Sequence, residues 1–176
     1  MAKILIGNGT VITMDAKRRI IKNGAVLIEN DRIAWVGKAG RLNPKAARGA
    51  RKIDASGKII MPGLIDSHVH HVQSLARGIA DEIDLIGWMH ERIFPYETAM
   101  TEEDTYWSAM MTCVEMVRTG TTTVADPGSY LMNSVGRAWE TFGMRGILCW
   151  AGADQWSGDR ALPKGFRGRL TTDETM

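Results

Sequence analysis

The hydrophobic rhythm of this chain changes once, at Pro62–Gly63, and that change prescribes two kinds of structure in succession. Residues 1–60 carry short apolar runs punctuated by turn residues. "KILIGNGTVITMD" alternates around Gly7–Asn8–Gly9, "AVLIENDRIAWVG" breaks at Glu29–Asn30–Asp31, and "RKIDASGKIIMPG" breaks at Ser56–Gly57. Each is a hairpin signal, and strands this short and closely spaced predict a small β-sandwich or open barrel. After Pro62 strands alternate with helices. "GLIDSHVH" reads as a strand buried on both faces, and "DLIGWMHERIF" has helical spacing in Leu85, Trp88, Met89 and Ile93. "TEEDTYWSAMMTCVEMVRTG" is a helix with a capping box at Thr101–Asp104 and a glycine stop at Gly120. "TTTVADPG" is a β-branched strand, "NSVGRAWETFG" a helix with a glycine end, and "RGILCWAGAD" another strand. This alternation predicts βαβ units and a parallel sheet.

The joint between the two regions holds the chemistry. "PGLIDSHVHH" contains three of the four histidines of the chain. On a strand, positions i and i+2 share a face, so His68 and His70 are expected to project together, with Asp66 on the same side. Paired neutral imidazoles suit a transition metal such as Zn²⁺ or Fe²⁺. The C-terminal end of a parallel barrel strand is also where such folds keep their chemistry. Two ligands do not complete a site, because a catalytic zinc usually takes three protein ligands and a water.

A β region closing on "GKIIMPGLIDSHVH" resembles the amidohydrolase superfamily. "LARGIADEIDLIGWMHERIFPYE", followed by the helix ending "RTGTTTVAD", resembles its branch of S-adenosylhomocysteine and methylthioadenosine deaminases, guanine and cytosine deaminases and chlorotriazine hydrolases. The resemblance implies an α/β fold: a small β-sandwich region over 1–60, then over 61–176 the first part, about three βα units, of a metal-dependent (β/α)8 TIM barrel. It implies one divalent metal, Zn²⁺ or Fe²⁺, with His68 and His70 as its first two ligands. It places Glu97 where relatives contact substrate hydroxyls, Trp88 where a tryptophan walls the pocket, and Gln73 where a lining residue recurs. An exposed helix-end carboxylate, a packing tryptophan and a polar surface residue are the respective alternatives. Arg77 matches a recurrent structural arginine. Asp126 ends the second barrel strand, where it either faces the site or shapes the turn before Pro127. His71 departs from many relatives and is expected to pack away from His70, and His90 to lie half-exposed on a helix.

The family's full site also needs two further histidines, a proton-shuttling carboxylate and a late aspartate. All four histidines here fall between positions 68 and 90. With three barrel strands, ending near Leu64–His70, Thr121–Asp126 and Gly146–Ala151, the barrel is expected to be incomplete. The proton shuttle is expected outside this chain, with a missing C-terminal portion, a second subunit or a homo-oligomer as partner. The activity implied for the whole is metal-assisted hydrolysis of a non-peptide carbon–nitrogen bond. Deamination of an aminated purine, pyrimidine or triazine ring comes first, with dechlorination or ring-amide hydrolysis as the alternative. For the chain alone, a non-catalytic half-barrel or interaction subunit is the competing reading. A dihydroorotase-like branch with two bridged metals is disfavoured by the "LARG…PYE" segment.

Composition excludes other classes. Among 176 residues, 22 lysines and arginines stand against 20 acids, a net charge of +2. Arg160, Lys164, Arg167 and Arg169 form only a mildly basic tail, expected as a solvated loop rather than a nucleic-acid patch, while a small-molecule substrate is what the resemblance implies. No run is long and apolar enough to span a membrane, and "MAKILIGNGT" has no leader pattern. Cys113 and Cys149 are widely separated in apolar surroundings, and buried thiols in a reducing cytoplasm are expected. Near the end, Thr171 with Glu174 repeats the capping-box pattern and predicts a helix start.

Overall fold

The computed structural model describes residues 2–152. The Thr171–Glu174 capping pattern and the basic residues of 160–169 lie outside those described. Contacts divide the chain into two compact units, Met1–Pro62 and Gly63–Met176.

The first unit is one five-stranded sheet. Strands β1 (Lys3–Ile12), β2 (Ile20–Glu29), β3 (Arg32–Lys38) and β4 (Arg51–Asp54) lie in the order β3-β2-β1-β4, and β5 (Ile59–Ile60) also pairs with β1. Only one of the three expected hairpins forms within its quoted stretch. Asn30 adopts a left-handed φ of 55° and turns β2 into β3, with Glu29 opposite Arg32. At Gly7–Asn8–Gly9 the chain does not turn back. Asn8 takes a φ of 64°, and the pairing with β2 slips between Ile6 and Gly9 and again before Val11. The result is an irregular, bulged strand, because one left-handed residue bends the strand while pairing resumes beyond it. Ser56–Gly57 likewise makes no hairpin. Gly57, at φ 73°, carries the chain onward, so β4 pairs parallel with Ile4–Gly7 and β5 parallel with Thr10–Val11.

The second unit is a βαβαβ run. Strands β6 (Leu64–Asp66), β7 (Thr121–Asp126) and β8 (Arg145–Leu148) are parallel and neighbour one another in chain order. Adding each strand on the same side is the winding of a barrel rather than of a doubly wound sheet. A 3₁₀ helix, His71–Ala76, follows β6. Next comes a continuous helical stretch: α1 (Leu85–Gly87), a π-helical turn (Trp88–Ile93) and α2 (Phe94–Ala99). Asp84 opens it by accepting hydrogen bonds from the N–H groups of Ile86 and Gly87. Helix α3 (Glu102–Thr119) starts on the expected capping box, with Thr101 and Asp104 each satisfying the other's backbone N–H, and stops at left-handed Gly120. Helix α4 (Met132–Phe142) ends at left-handed Gly143.

One sheet face packs on α3 and α4. Val124 of β7 is buried with Ala109, Cys113 and Met116 of α3 and Met132, Val135, Ala138 and Trp139 of α4. Gly146 of β8 lets the Trp139 ring lie flush, since a Cβ there would sit 2.5 Å from it. Strand β6 corrects the expectation of a long strand buried on both faces. It is three residues long, and Leu64 and Ile65 are 50% and 73% exposed, because its outer edge and far face have no cover among the described residues. The thiols divide as well. Cys113 is buried on α3, while Cys149, beyond the end of β8, is exposed, since the strand stops at Leu148 before its side chain enters the packed layer.

Candidate active site

The site residues gather where β6 and β7 end. Beyond Asp66 the chain leaves the ladder, so His68 and His70 sit in the turn after the strand rather than on it. Their rings nevertheless meet edge to face, with centroids 5.2 Å apart. The His68 ring is exposed. His70 is half-buried, and its Nδ1 lies 3.1 Å from the Gly128 carbonyl in the loop after β7. A carbonyl accepts only, so Nδ1 carries the proton and Nε2 keeps its lone pair. Asp66 does not join the pair; its Oδ1 accepts the N–H of His68 at 3.1 Å and shapes the turn.

His71 points the other way, as expected, and its burial is complete. Its Nδ1 donates to Asp126 Oδ2 at 3.0 Å, with both side chains fully buried, and its backbone N–H donates to the same oxygen at 3.0 Å. The other oxygen, Oδ1, accepts the N–H of Gly128 at 2.9 Å. Burial pushes the Asp126 carboxyl upward, but the His71 ring bond and the two backbone N–H bonds outweigh it. They hold Asp126 below the usual carboxylate range. Asp126 thus ties the ends of β6 and β7 together from beneath. The His71 carbonyl accepts the Ser108 hydroxyl of α3 at 2.8 Å, and the ring lies edge-on to Trp139, with centroids 5.0 Å apart.

Glu97 is no exposed helix end. It is 8% exposed, with Oε1 accepting from Gln73 Nε2 at 2.9 Å and Oε2 from the Ser129 hydroxyl at 2.5 Å. Gln73 and Glu97 are therefore brought together directly, and a loop serine that sequence reasoning missed joins them at the other carboxylate oxygen. Nothing in "ADPGSY" marks Ser129, because its contact with Glu97 spans 32 positions and depends on where β7 ends. Tyr96 donates to the Val72 carbonyl at 2.9 Å and fixes the helix bearing Glu97 against the 3₁₀ helix. Trp88 is half-buried in the π turn, and no side-chain hydrogen bond or ring contact joins it to these groups among the described residues. Arg77 forms a forked ion pair with Glu115 of α3, in keeping with a structural role. His90 packs edge-on to Phe94, half-buried on its helix.

The donor set fits a divalent transition metal as two of its ligands. His68 and His70 are adjacent imidazoles, and His70 is held in the tautomer that frees Nε2. Among the described residues no group of three or more His, Cys, Asp or Glu side chains is arranged to hold an ion.

Comparison with known proteins identifies the family. The amidohydrolase family profile matches residues 59–175. The 5-methylthioadenosine/S-adenosylhomocysteine deaminase of Syntrophobacter fumaroxidans is 42% identical over 84% of this chain and 33% of its own length. The 5'-deoxyadenosine deaminase of Methanosarcina barkeri is 37% identical over 91% of this chain and 36% of its own length. The atrazine chlorohydrolase of Arthrobacter aurescens, solved with zinc, superposes with a TM-score of 0.79 at 25% identity, over 93% of this chain and 39% of that one. The chain thus spans about a third of the length of the curated relatives it matches. With the paired histidines at the end of β6 and the strands in barrel order, the chain belongs to the amidohydrolase family.

Proposed function

We propose that this chain is the N-terminal third of a zinc-dependent hydrolase that removes the amino group from an adenosine-type purine. The observation that carries the reading is the His68–His70 pair, with His70 locked by Gly128 so that Nε2 is free. The relatives named as deaminases of adenosine derivatives support the substrate class.

In the reaction, water oxygen bonds to the ring carbon, the carbon–nitrogen bond breaks, and ammonia leaves with the proton that water gave up. A divalent metal held by His68, His70 and ligands from the length of the relatives that this chain does not span supplies Lewis acidity and lowers the pKa of water. The chain's own residues bind and orient. His68 and His70 present nitrogen donors, and Gly128 keeps His70 in register. Glu97 accepts substrate hydroxyls in the place the Ser129 hydroxyl now takes, while Gln73 keeps the other carboxylate oxygen engaged. Trp88 contributes an apolar wall. The proton shuttle lies outside these residues.

The test joins this chain to a segment spanning the remaining two thirds of the relatives' length and measures ammonia release from 5'-deoxyadenosine and methylthioadenosine. His68→Asn and His70→Asn are expected to lose both zinc and turnover, and Glu97→Ala to raise KM for nucleosides more than it lowers kcat. Full activity in His68→Asn sinks the proposal. Likeness to the atrazine chlorohydrolase favours one second reading, hydrolytic dechlorination of a triazine. Chloride release without ammonia release would select it.

A further inference from the structure

Four groups form an unbroken line of hydrogen bonds under the histidine pair. The His71 ring and its backbone N–H both donate to Asp126 Oδ2, Gly128 N–H donates to Asp126 Oδ1, and the carbonyl of Gly128 accepts the His70 Nδ1 proton. Gly128 has a φ of +106°, and a Cβ there would fall 2.4 Å from the backbone nitrogen of Ala151. The N–H and the carbonyl of Gly128 lie on two peptide planes joined at its Cα, and the wedged conformation, packed against the backbone of Cys149, Trp150 and Ala151, holds one plane against the other, so whatever holds the N–H also aims the carbonyl. That holder is Asp126.

We propose that Asp126 is a positioning residue that sets the ring tautomer of His70 through the backbone of Gly128, whose N–H it holds and whose carbonyl faces the ring. The reading deepens the metal site and rests on it only for its purpose. An imidazole whose Nδ1–H is engaged offers Nε2 as the metal donor, and partners one bond removed from a ligand commonly control affinity. The His71 ring and backbone N–H occupy the other oxygen of Asp126, Oδ2, and leave Oδ1 to Gly128. A carboxylate is required because three donors converge on it, and only a group with two acceptor oxygens satisfies both sides.

The requirement makes Asp126→Asn informative. An amide has one acceptor oxygen. If its NH₂ faced His71, two donors would oppose it; if it faced Gly128, only one would. The oxygen therefore stays with His71, and the Gly128 N–H loses its acceptor. His71→Gln does the reverse, since it removes the ring bond yet leaves the link between Asp126 and Gly128.

The experiment is long-range ¹H–¹⁵N correlation of the imidazole rings in the metal-free, ¹⁵N-labelled chain at mildly alkaline pH, where imidazole is neutral. Wild-type protein is expected to show His70 protonated at Nδ1. Asp126→Asn is expected to lose that signal in favour of Nε2–H, and His71→Gln to keep it. Met116→Ala, a core truncation away from the line of bonds, is expected to leave the tautomer unchanged, which a merely structural role for Asp126 does not predict. His70 protonated at Nε2 in wild type, or unaltered in a folded Asp126→Asn, overturns the proposal. So does a His70 tautomer scrambled in His71→Gln, since that would assign the control to the covalent neighbour. If Asp126→Asn loses amide dispersion, the wild-type and His71→Gln results decide. Zinc titration watched on the same His68 and His70 resonances tests the metal reading separately: no response there sinks the metal site and leaves the tautomer result standing.

Discussion

At the residue scale, Glu97 shows how a carboxylate is kept buried at the end of a sheet. Both of its oxygens face donors, Gln73 Nε2 and the Ser129 hydroxyl, so it is buried without being orphaned. Gln at this position keeps the pattern, since a serine hydroxyl can accept from the new NH₂ as readily as it donated. Glu97→Gln is therefore expected to change stability by less than about 1 kcal/mol, whereas Glu97→Ala strands Gln73 and costs about 2 kcal/mol. Urea denaturation of the three proteins checks this, and equal losses for both variants would refute it. The two thiols differ as sharply. Burial pushes Cys113 up to about 11 on α3, while Cys149 is exposed. Because the thiolate is the reactive form, iodoacetamide at pH 8 is expected to label Cys149 alone, with Cys113 reacting only on unfolding. Two labels on the folded chain would contradict the packing of α3.

At the scale of elements, α3 depends on its start. Thr101 and Asp104 satisfy each other's backbone N–H groups, and the Thr101 side chain is the largest influence holding Asp104 below its ordinary value of 3.8. Thr101→Ala is expected to cost about 1 kcal/mol of stability. The sign with pH follows from the lowered value. The Asp104 carboxylate contributes above pH 3.8, and its contribution is lost as pH falls through its lower folded value. The melting temperature difference between wild type and Asp104→Asn should therefore shrink as pH drops below 3.8. A gap that widens toward acid would reverse the assignment. Strand β8 depends on an absence, since Gly146 leaves room for Trp139 where a Cβ would come within 2.5 Å of the ring. Gly146→Ala is expected to cost about 1–3 kcal/mol by overpacking. These elements were readable because their signals are local: a capping box, a glycine stop, a 3.6-residue period. The failures were non-local. Gly7–Asn8–Gly9 has hairpin chemistry, but pairing with β2 across the whole of Lys3–Ile12 made it an irregularity in one strand. Ser56–Gly57 has a turn, but β1 offered both halves of its edge to β4 and β5. The histidine pair and Glu97 were legible as positions, whereas Ser129 and Gly128 enter the site only because β7 ends beside β6.

At the scale of the molecule, the parallel unit is covered on one face only among the described residues. Ile65 of β6 sits opposite Thr123, and Ile147 of β8 opposite Ala125, so all four share the face turned away from α3 and α4. Ile65 and Ile147 are 73% and 68% exposed, and Trp150 just beyond is 65% exposed. On α3, Trp107, Met111, Val114 and Val117 form a second apolar stripe at helical spacing, each more than a third exposed. Exposed apolar side chains grouped on one face in this way mark a surface that something covers. In a closed barrel the sheet face is the interior, filled by layers of branched side chains from every strand. The chain by itself is therefore expected to bind the dye ANS strongly and to self-associate at micromolar concentration. Threonine keeps strand preference while removing apolar area, so the Ile65→Thr, Ile147→Thr double variant should lower both dye fluorescence and light scattering. It should leave the far-ultraviolet circular dichroism unchanged, because neither side chain belongs to the core formed with α3 and α4. Joining the chain to a segment that completes the barrel should lower the dye binding at least as far, since the same isoleucines would then be interior. If the isolated chain is instead a dye-silent monomer, its own residues already cover that face, and the site at the end of β6 stands on a sheet that needs no completion.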